Sequence, residues 1–124
     1  MKILIVDDER DVETLFRQKF RKEIKNNQLE LSFAFSGNEA LELLQKKNPP
    51  EVVYVFSDIN MPGMTGLELL EKIKAMFPHI TVSMISAYGD SENYDKAMNS
   101  GAKEFFTKPI DFESLRKEIR HLLN

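Results

Sequence analysis

The sequence predicts one α/β domain built on a doubly wound parallel sheet with helices on both faces. Its 124 residues suffice for a single hydrophobic core. Five short segments with strand patterns recur along the chain, and each is followed by a segment with helical periodicity. Strict alternation of this kind favours parallel strands joined by right-handed crossovers. We expect a five-stranded sheet with the spatial order 2-1-3-4-5.

The expected strands fall at residues 3–6, 29–35, 52–56, 80–85 and 104–107. The first and third are continuous apolar runs, which are typical of strands buried on both faces of a sheet. The third is the most apolar run in the chain, so we place it at the centre. The second alternates apolar and polar residues, which indicates a position towards the sheet edge.

The expected helices begin and end at recognisable residues. An apolar stripe at positions 12, 15, 16, 20 and 24 predicts a single first helix that is broken at Asn26-Asn27. Two of the later helices start with the S/T-x-x-E spacing of a capping box. The second helix is expected to start at Ser36 and to run to about Lys47, and the third to start at Thr65 and to end before Pro78. The fourth is expected from about Ser91 to Gly101, and the fifth starts at Asp111.

Composition excludes several classes of protein. The formal net charge of −3 argues against a dedicated nucleic-acid binder, which usually carries a basic stripe. The absence of cysteine excludes disulfides, thiolate zinc sites and cysteine nucleophiles, and it fits a reducing compartment. No apolar stretch approaches the ~18–20 residues of a membrane span. We therefore expect a cytoplasmic protein with no membrane or direct nucleic-acid partner.

Polar side chains follow the expected strands where each strand ends. Asp7 and Asp8 follow the first strand, Asp58 the third, Ser86 the fourth and Lys108 the fifth. In doubly wound sheets the binding site lies outside the carboxyl ends of the strands. With the order 2-1-3-4-5, the first and third strands are neighbours, so the three aspartates should converge.

Three converging carboxylates need a counter-charge. A hard divalent cation such as Mg²⁺ prefers oxygen ligands, and with Lys108 it would bring the site close to neutrality. Such a site suits phosphoryl transfer, which needs positioning and charge neutralisation, and a carboxylate can be the nucleophile. Each residue alone has an ordinary structural explanation, as a helix cap, a turn residue, a solvated lysine or a strand-end hydroxyl. Their joint placement favours a function.

A longer motif links these residues. The stretch from Asp58 to Gly66 has the pattern D-x-x-M-P-x-x-x-G, and the pair Lys108-Pro109 follows downstream. With the acidic pair after the first strand, the chain resembles the receiver domain of two-component response regulators along its whole length. The resemblance implies a flavodoxin-like (βα)5 fold. It also implies a single receiver domain over residues 1–124, with no output domain among these residues. The chain is then either a stand-alone receiver or part of a longer regulator.

The resemblance implies a role for each acidic residue. Asp58 would accept a phosphoryl group from a histidine kinase or a phosphotransfer protein. Asp7, Asp8 and Asp58, with the backbone carbonyl of Asn60, would hold Mg²⁺, or Mn²⁺ in its place. Lys108, preceding a cis bond to proline, would pair first with Asp58 and then with the phosphoryl oxygens. The protein would catalyse only its own phosphorylation and dephosphorylation.

Two further residues are implied to form a switch. Ser86, in place of the commoner threonine, would bind the phosphoryl group and move towards it. Phe105, in place of the commoner tyrosine, would rotate inwards as Ser86 moves; the alternative is an aromatic that only packs. The surface of the last two helices and strand five would then control a downstream protein or an output domain outside this chain. We expect a monomer or a weak phosphorylation-dependent dimer.

Three other side chains, Tyr88, His79 and His121, have chemistry that could serve a function. Tyr88, two residues after Ser86, is expected either to shield the phosphoryl group from water or to be an exposed loop residue. His79 and His121 are expected at the surface, with no metal-binding role.

Specific residues of the sequence disfavour the alternative functions. A phosphatase of the haloacid-dehalogenase type needs a second acid where this chain has Asn60. A dinucleotide or flavin site needs glycines or hydroxyls after the first strand, where this chain has Asp7-Asp8-Glu9. A pseudo-receiver that works unphosphorylated as a constitutive protein-docking module is the main alternative, although such proteins usually lack one of the site residues.

Overall fold

The computed structural model describes residues 1–47, 50–87 and 90–123. Within these residues the chain forms five strands and six helices. The strands are β1 (Lys2–Val6), β2 (Glu30–Ala34), β3 (Val52–Asp58), β4 (Thr81–Ser86) and β5 (Phe105–Thr107). The helices are α1 (Asp11–Lys19), α2 (Arg21–Lys25), α3 (Gly37–Gln45), α4 (Gly66–Met76), α5 (Ser91–Asn99) and α6 (Phe112–Leu123).

The five strands form one parallel sheet with the order β2-β1-β3-β4-β5, as the sequence predicts. β3 is the central strand and β2 lies at an edge, also as predicted. The strand order reverses between β1 and β3, which are neighbours. Val6 at the end of β1 pairs with Ser57 of β3, and Asp58 pairs with Ile85 of β4. The carboxyl ends of these three strands therefore meet at one edge.

Alternate residues of each strand pack into two separate cores. Leu4 of β1 and Val55 of β3 face the layer formed by α3, α4 and α5. Ile3 of β1 and Phe56 of β3 face the layer formed by α1, α2 and α6. The chain thus has helices on both faces of the sheet, and none of the described helices is long and apolar enough to cross a membrane.

The prediction of a single first helix is wrong, because the structure contains two helices, α1 and α2, separated at Phe20. The backbone of Phe20 leaves the helical region (φ −110°, ψ 21°), and its ring is fully buried. This ring packs 6.0 Å from Phe16 and 6.3 Å from Phe112 of α6. Burial of an aromatic ring in the core therefore outweighs helix continuity here. Leu15, expected in the apolar stripe, is exposed.

Strand and helix ends differ by small amounts from the predicted ones. β3 continues to Asp58, which was expected in a loop, and β5 begins at Phe105 rather than Glu104. Thr65 forms a complete capping box with Glu68 at the start of α4. Asp111 accepts backbone hydrogen bonds at the start of α6, so its predicted capping role is confirmed. His79 and His121 are exposed, as expected.

Candidate functional site

Three carboxylates converge at the carboxyl edge of the sheet. Asp7 and Asp8 follow β1, Asp58 ends β3, and one oxygen from each lies within 4.8 Å of the other two. Asp7 and Asp58 are buried, whereas Asp8 is exposed. The strand order explains this convergence, since β1 and β3 are paired and end at the same level.

Backbone hydrogen bonds hold the two buried aspartates in place. The amide of Asp7 donates to the carbonyl of Ala34 in β2 at 3.1 Å. Its Oδ1 accepts the amide of Glu9 at 2.9 Å. Asp58 Oδ1 accepts the amide of Ile59 at 3.0 Å. Both side chains are therefore oriented by the chain that surrounds the end of the sheet.

Lys108 supplies a positive charge to this cluster. The Lys108–Pro109 peptide bond is cis, as the resemblance implies. The Lys108 Nζ atom lies 3.3 Å from Asp7 Oδ2 and 3.6 Å from Asp58 Oδ1. Partial burial disfavours the charged lysine, but the neighbouring carboxylates of Asp58 and Asp7 outweigh it and raise the pKa of Lys108. The lysine therefore remains a cation within the site.

The Asp58 carboxyl has a pKa well above its ordinary value. Burial, together with repulsion from Asp7, raises the pKa of Asp58 to about 6. Lys108 and the Ile59 amide act in the opposite direction but do not cancel the rise. A shift of this kind in a buried, charge-lined site is typical of functional carboxylates.

This pKa predicts how Asp58→Asn changes stability. A folded-state pKa above the ordinary value means that the folded protein binds more protons between about pH 4 and pH 6. Stability of the parent protein therefore falls as the pH rises through that window. In metal-free buffer at pH 8 we expect Asp58→Asn to be more stable than the parent by about 1–3 kcal/mol. Urea unfolding across pH would show this difference vanish near pH 4.

Asp111→Asn provides a control of opposite sign. Hydrogen bonds from Ser114 lower the pKa of Asp111, so its charged form stabilises the fold above its unfolded pKa. This variant should be less stable than the parent near neutral pH, and the difference should vanish as the pH falls through the lowered pKa, because the parent then loses its charged Asp111. A pH profile for Asp58→Asn parallel to that of Asp111→Asn would contradict the assignment of Asp58 as a destabilising buried charge.

Ser86 and Phe105 lie on β4 and β5, on one side of the central strand that carries Asp58. Ser86 is fully buried at the end of β4, and its hydroxyl donates to Asp90 Oδ2 at 2.8 Å. Phe105 is partly buried and packs edge-on against the exposed Tyr94 of α5, with ring centroids 5.3 Å apart. Phe106 faces the opposite core, as expected from strand alternation. The Tyr88 hypothesis falls outside the described residues.

Gly66 allows the start of α4 to lie directly against the backbone of Asp58. Its amide donates to the carbonyl of Ile59 at 2.8 Å. A Cβ at this position would lie 2.0 Å from the carbonyl oxygen of Asp58 and 2.8 Å from the Ile59 Cα. Only glycine allows this contact, which explains why the motif ends in Gly66.

The sequence predicts the acidic cluster and its lysine, but no pattern in it distinguishes Asp90 as part of the site. The sequence around Asp90 indicates only a helix cap, because Asp90 precedes α5 and Asn93 follows three residues later. Its contact with Ser86 depends on where β4 ends relative to α5. Asn60, the fourth expected metal-site residue, is exposed and lies two residues after Asp58.

The donor set fits a hard divalent cation. The cluster offers carboxylate oxygens only, with one exposed ligand, Asp8, that leaves access for water. Mg²⁺ favours such sites because it prefers oxygen and keeps several waters. One cation and Lys108 would offset the three negative charges.

Comparison with known proteins agrees with the geometry. A family model described as the response regulator receiver domain matches residues 3–120. The chain is 32% identical over 122 residues to sporulation initiation phosphotransferase F of Bacillus subtilis, covering 98% of this chain and 93% of that protein. It is 33% identical over 123 residues to a cyclic di-GMP phosphodiesterase of Thermotoga maritima, covering 99% of this chain but 31% of that protein.

A solved structure has the same fold. The crystal structure of a response regulator receiver domain protein from Clostridium thermocellum superposes with a TM-score of 0.85 and 28% identity. The match covers 99% of this chain and 94% of that one. Together with the sheet order and the family match, this shows that the chain belongs to the receiver domain family of two-component response regulators.

Proposed function

We propose that this protein is a phosphorylation-activated switch in which Asp58 accepts the phosphoryl group. The observation that carries the proposal is the convergence of Asp7, Asp8 and Asp58 with Lys108 at the carboxyl ends of β1, β3 and β5. We propose that residues 1–124 form one receiver domain, acting in the cytoplasm.

The acidic residues would hold Mg²⁺, or Mn²⁺ in its place. The ligands would be the carboxylates of Asp7, Asp8 and Asp58 and the backbone carbonyl of Asn60. When bound, the cation would neutralise charge on the phosphoryl oxygens during transfer. It would also favour the ionised, nucleophilic form of Asp58, whose pKa of about 6 in the metal-free site is set chiefly by burial.

The chain's own groups would receive and hold the phosphoryl group. An oxygen of Asp58 attacks the phosphorus, and the bond from phosphorus to the donor's leaving atom breaks. Lys108 Nζ, already 3.6 Å from Asp58 Oδ1, would then pair with the phosphoryl oxygens. The Ser86 hydroxyl, at the end of the neighbouring strand, would donate to the same group. These contacts exist only after transfer, so they shift the population towards a second packing.

The second packing would be read at the surface of α5, β5 and α6. Phe105 of β5 packs against Tyr94 of α5, so movement near Ser86 would reach this surface through one aromatic contact. A histidine kinase or phosphotransfer protein would supply the phosphoryl group. The similarity to a phosphotransferase and to longer proteins supports a downstream protein or a separate output domain as the target.

Intact-mass measurement after incubation with acetyl phosphate tests this function. The phosphoryl group would move to Asp58 with release of acetate. With Mg²⁺ we expect one phosphoryl adduct on the parent protein, and none after chelation of the metal. Asp58→Asn should give no adduct, because it removes the nucleophilic oxygen.

The control variant is Asp111→Asn, which changes an exposed aspartate at the start of α6, outside the cluster. It should form the adduct as the parent does. An adduct that persists in Asp58→Asn would place the nucleophile elsewhere. If the parent forms no adduct with or without Mg²⁺, the pseudo-receiver alternative, a constitutive docking surface, would replace the proposed switch.

A further inference from the structure

We propose that Asp90 is a positioning residue that holds the Ser86 hydroxyl in the unphosphorylated state and thereby restrains phosphorylation of Asp58. This inference rests on the proposed function and concerns how strongly the switch is biased. It follows from a hydrogen-bond network at the junction of β4 and α5 that lies beside the acidic cluster but includes none of its carboxylates.

The network occupies the only proton that Ser86 can donate. Ser86 is fully buried, and its hydroxyl lies 2.8 Å from Asp90 Oδ2. A serine hydroxyl has one proton. While that proton is donated to Asp90, it is not available to a phosphoryl oxygen on Asp58. Phosphorylation that recruits Ser86 must therefore break the bond to Asp90 first.

Asp90 is itself firmly held at the start of α5. Its Oδ1 accepts the backbone amide of Asn93 at 3.4 Å, and its Oδ2 accepts the Asn93 side-chain amide at 2.7 Å. Its backbone carbonyl accepts the amide of Tyr94 at 3.1 Å. The carboxylate is thus fixed as a helix cap, with one oxygen presented to Ser86.

The charge of Asp90 makes it a strong competitor for the hydroxyl. Hydrogen bonds from Asn93 and Ser86 lower the pKa of Asp90, so the group is ionised at neutral pH. Hydrogen bonds to charged acceptors are stronger than those between neutral groups. Loss of such a bond should change the ratio of the formation rate constant of the adduct to its decay rate constant by about tenfold.

Asp90→Asn removes the competitor while keeping the cap. The asparagine carbonyl can still accept the Asn93 backbone amide, as Asp90 Oδ1 does, which places an NH₂ group opposite Ser86 in place of the acceptor oxygen. The Asn93 side-chain amide, which donates to Oδ2 in the parent, can rotate to present its carbonyl oxygen to that NH₂. Asp111→Asn is the matched control. Asp111 caps α6 in the same way, and its Oδ2 accepts the Ser114 hydroxyl at 2.8 Å. That variant makes the same chemical change in a second helix cap that does not involve Ser86.

The experiment measures adduct formation from acetyl phosphate with Mg²⁺, and adduct decay after the donor is removed. For Asp90→Asn we expect the ratio of the formation to the decay rate constant to rise about tenfold. For Asp111→Asn it should not change. In a Ser86→Ala background, Asp90→Asn should have no further effect, because its action passes through the Ser86 hydroxyl.

Each outcome bears on the inference. An unchanged ratio in Asp90→Asn, an equal rise in Asp111→Asn, or a rise that survives in Ser86→Ala would overturn it. The last result would indicate simple removal of negative charge. If the parent forms an adduct and the ratio of rate constants in Asp90→Asn equals that of the parent, this inference fails while the proposed function stands. If the parent forms none, the proposed function fails, and this inference with it.

A metal-free measurement tests the hydrogen bond directly. NMR titration of the Asp90 carboxyl should show its pKa rise towards the ordinary range in Ser86→Ala, since a hydrogen bond to the charged form is lost. An unchanged pKa would show that Ser86 does not donate to Asp90 in solution. Asp90→Ser, which can also cap a helix, replaces Asp90→Asn if that variant fails to fold.

Discussion

Asp8→Asn is expected to weaken Mg²⁺ binding by about 30-fold to 100-fold, equivalent to about 2–3 kcal/mol. Asp8 is the exposed member of the three-carboxylate cluster, so its replacement should disturb the fold little. The change removes a proposed ligand and one of the three negative charges of the cluster. Because the other two carboxylates are buried, screening by water only partly offsets this loss.

Lys108→Met should change the affinity for Mg²⁺ in the opposite direction. The lysine Nζ lies 3.3 Å from Asp7 Oδ2 and 3.6 Å from Asp58 Oδ1. It would therefore compete with a bound Mg²⁺ ion for interaction with these two carboxylates. Its removal should tighten binding by about tenfold. The same variant should nevertheless be phosphorylated more slowly, since the phosphoryl oxygens lose their pairing cation.

Calorimetric titration with Mg²⁺ at fixed ionic strength would measure both effects. Asp111→Asn, which also removes one negative charge but lies outside the cluster, should bind Mg²⁺ as the parent does. If Asp8→Asn and Asp111→Asn weakened binding equally, net charge would account for the affinity. Equal binding by the parent and Lys108→Met would show that the lysine does not compete for the metal-binding charges.

The sequence predicted the acidic cluster because its geometry follows from connectivity. Asp7 follows β1 and Asp58 ends β3, and the alternation of strand and helix places these two strands side by side and parallel. Once the strand order is assumed, the carboxyl ends must meet. No knowledge of side-chain packing is needed for that step. The same reasoning places Lys108 at this edge of the sheet, but β4 separates β5 from β3, so its approach to Asp58 depends on the direction of its long side chain.

Features that depend on packing were not predicted. The apolar stripe is continuous across Phe20, so periodicity alone could not show that the chain turns there to bury the ring against Phe16 and Phe112. The bond from Ser86 to Asp90 depends on the angle between β4 and α5, which is a tertiary property. Gly66 belongs to a motif that is visible in the sequence. The reason for glycine at this position, the close approach of the Asp58 backbone, is visible only in the structure.

Gly66→Ala is expected to destabilise the protein by about 3 kcal/mol or more. The new Cβ would lie 2.0 Å from the Asp58 carbonyl oxygen and 2.9 Å from its carbonyl carbon. Those atoms belong to the backbone of the central strand, so they cannot move aside as a flexible side chain would. Either α4 shifts away from β3, or the end of β3 is displaced.

Gly63→Ala separates this steric effect from the general cost of replacing glycine. Gly63 has a φ of 75°, and a Cβ there would meet no atom within 4 Å. It should cost only about 1 kcal/mol, through backbone strain in the left-handed region. Urea unfolding of both variants would compare the two costs, and a loss in Gly66→Ala no greater than in Gly63→Ala would contradict the predicted clash.

Gly66→Ala should also affect the proposed metal site, because the backbone atoms that it displaces carry Asp58. Gly66 donates to the Ile59 carbonyl, and the Ile59 amide in turn holds Asp58 Oδ1 at 3.0 Å. A shift of this segment moves one of the three carboxylates relative to the other two. We therefore expect Gly66→Ala to bind Mg²⁺ more weakly than Gly63→Ala under conditions where both are folded. Normal Mg²⁺ affinity in folded Gly66→Ala would show that α4 yields instead, leaving β3 and its carboxylate in place.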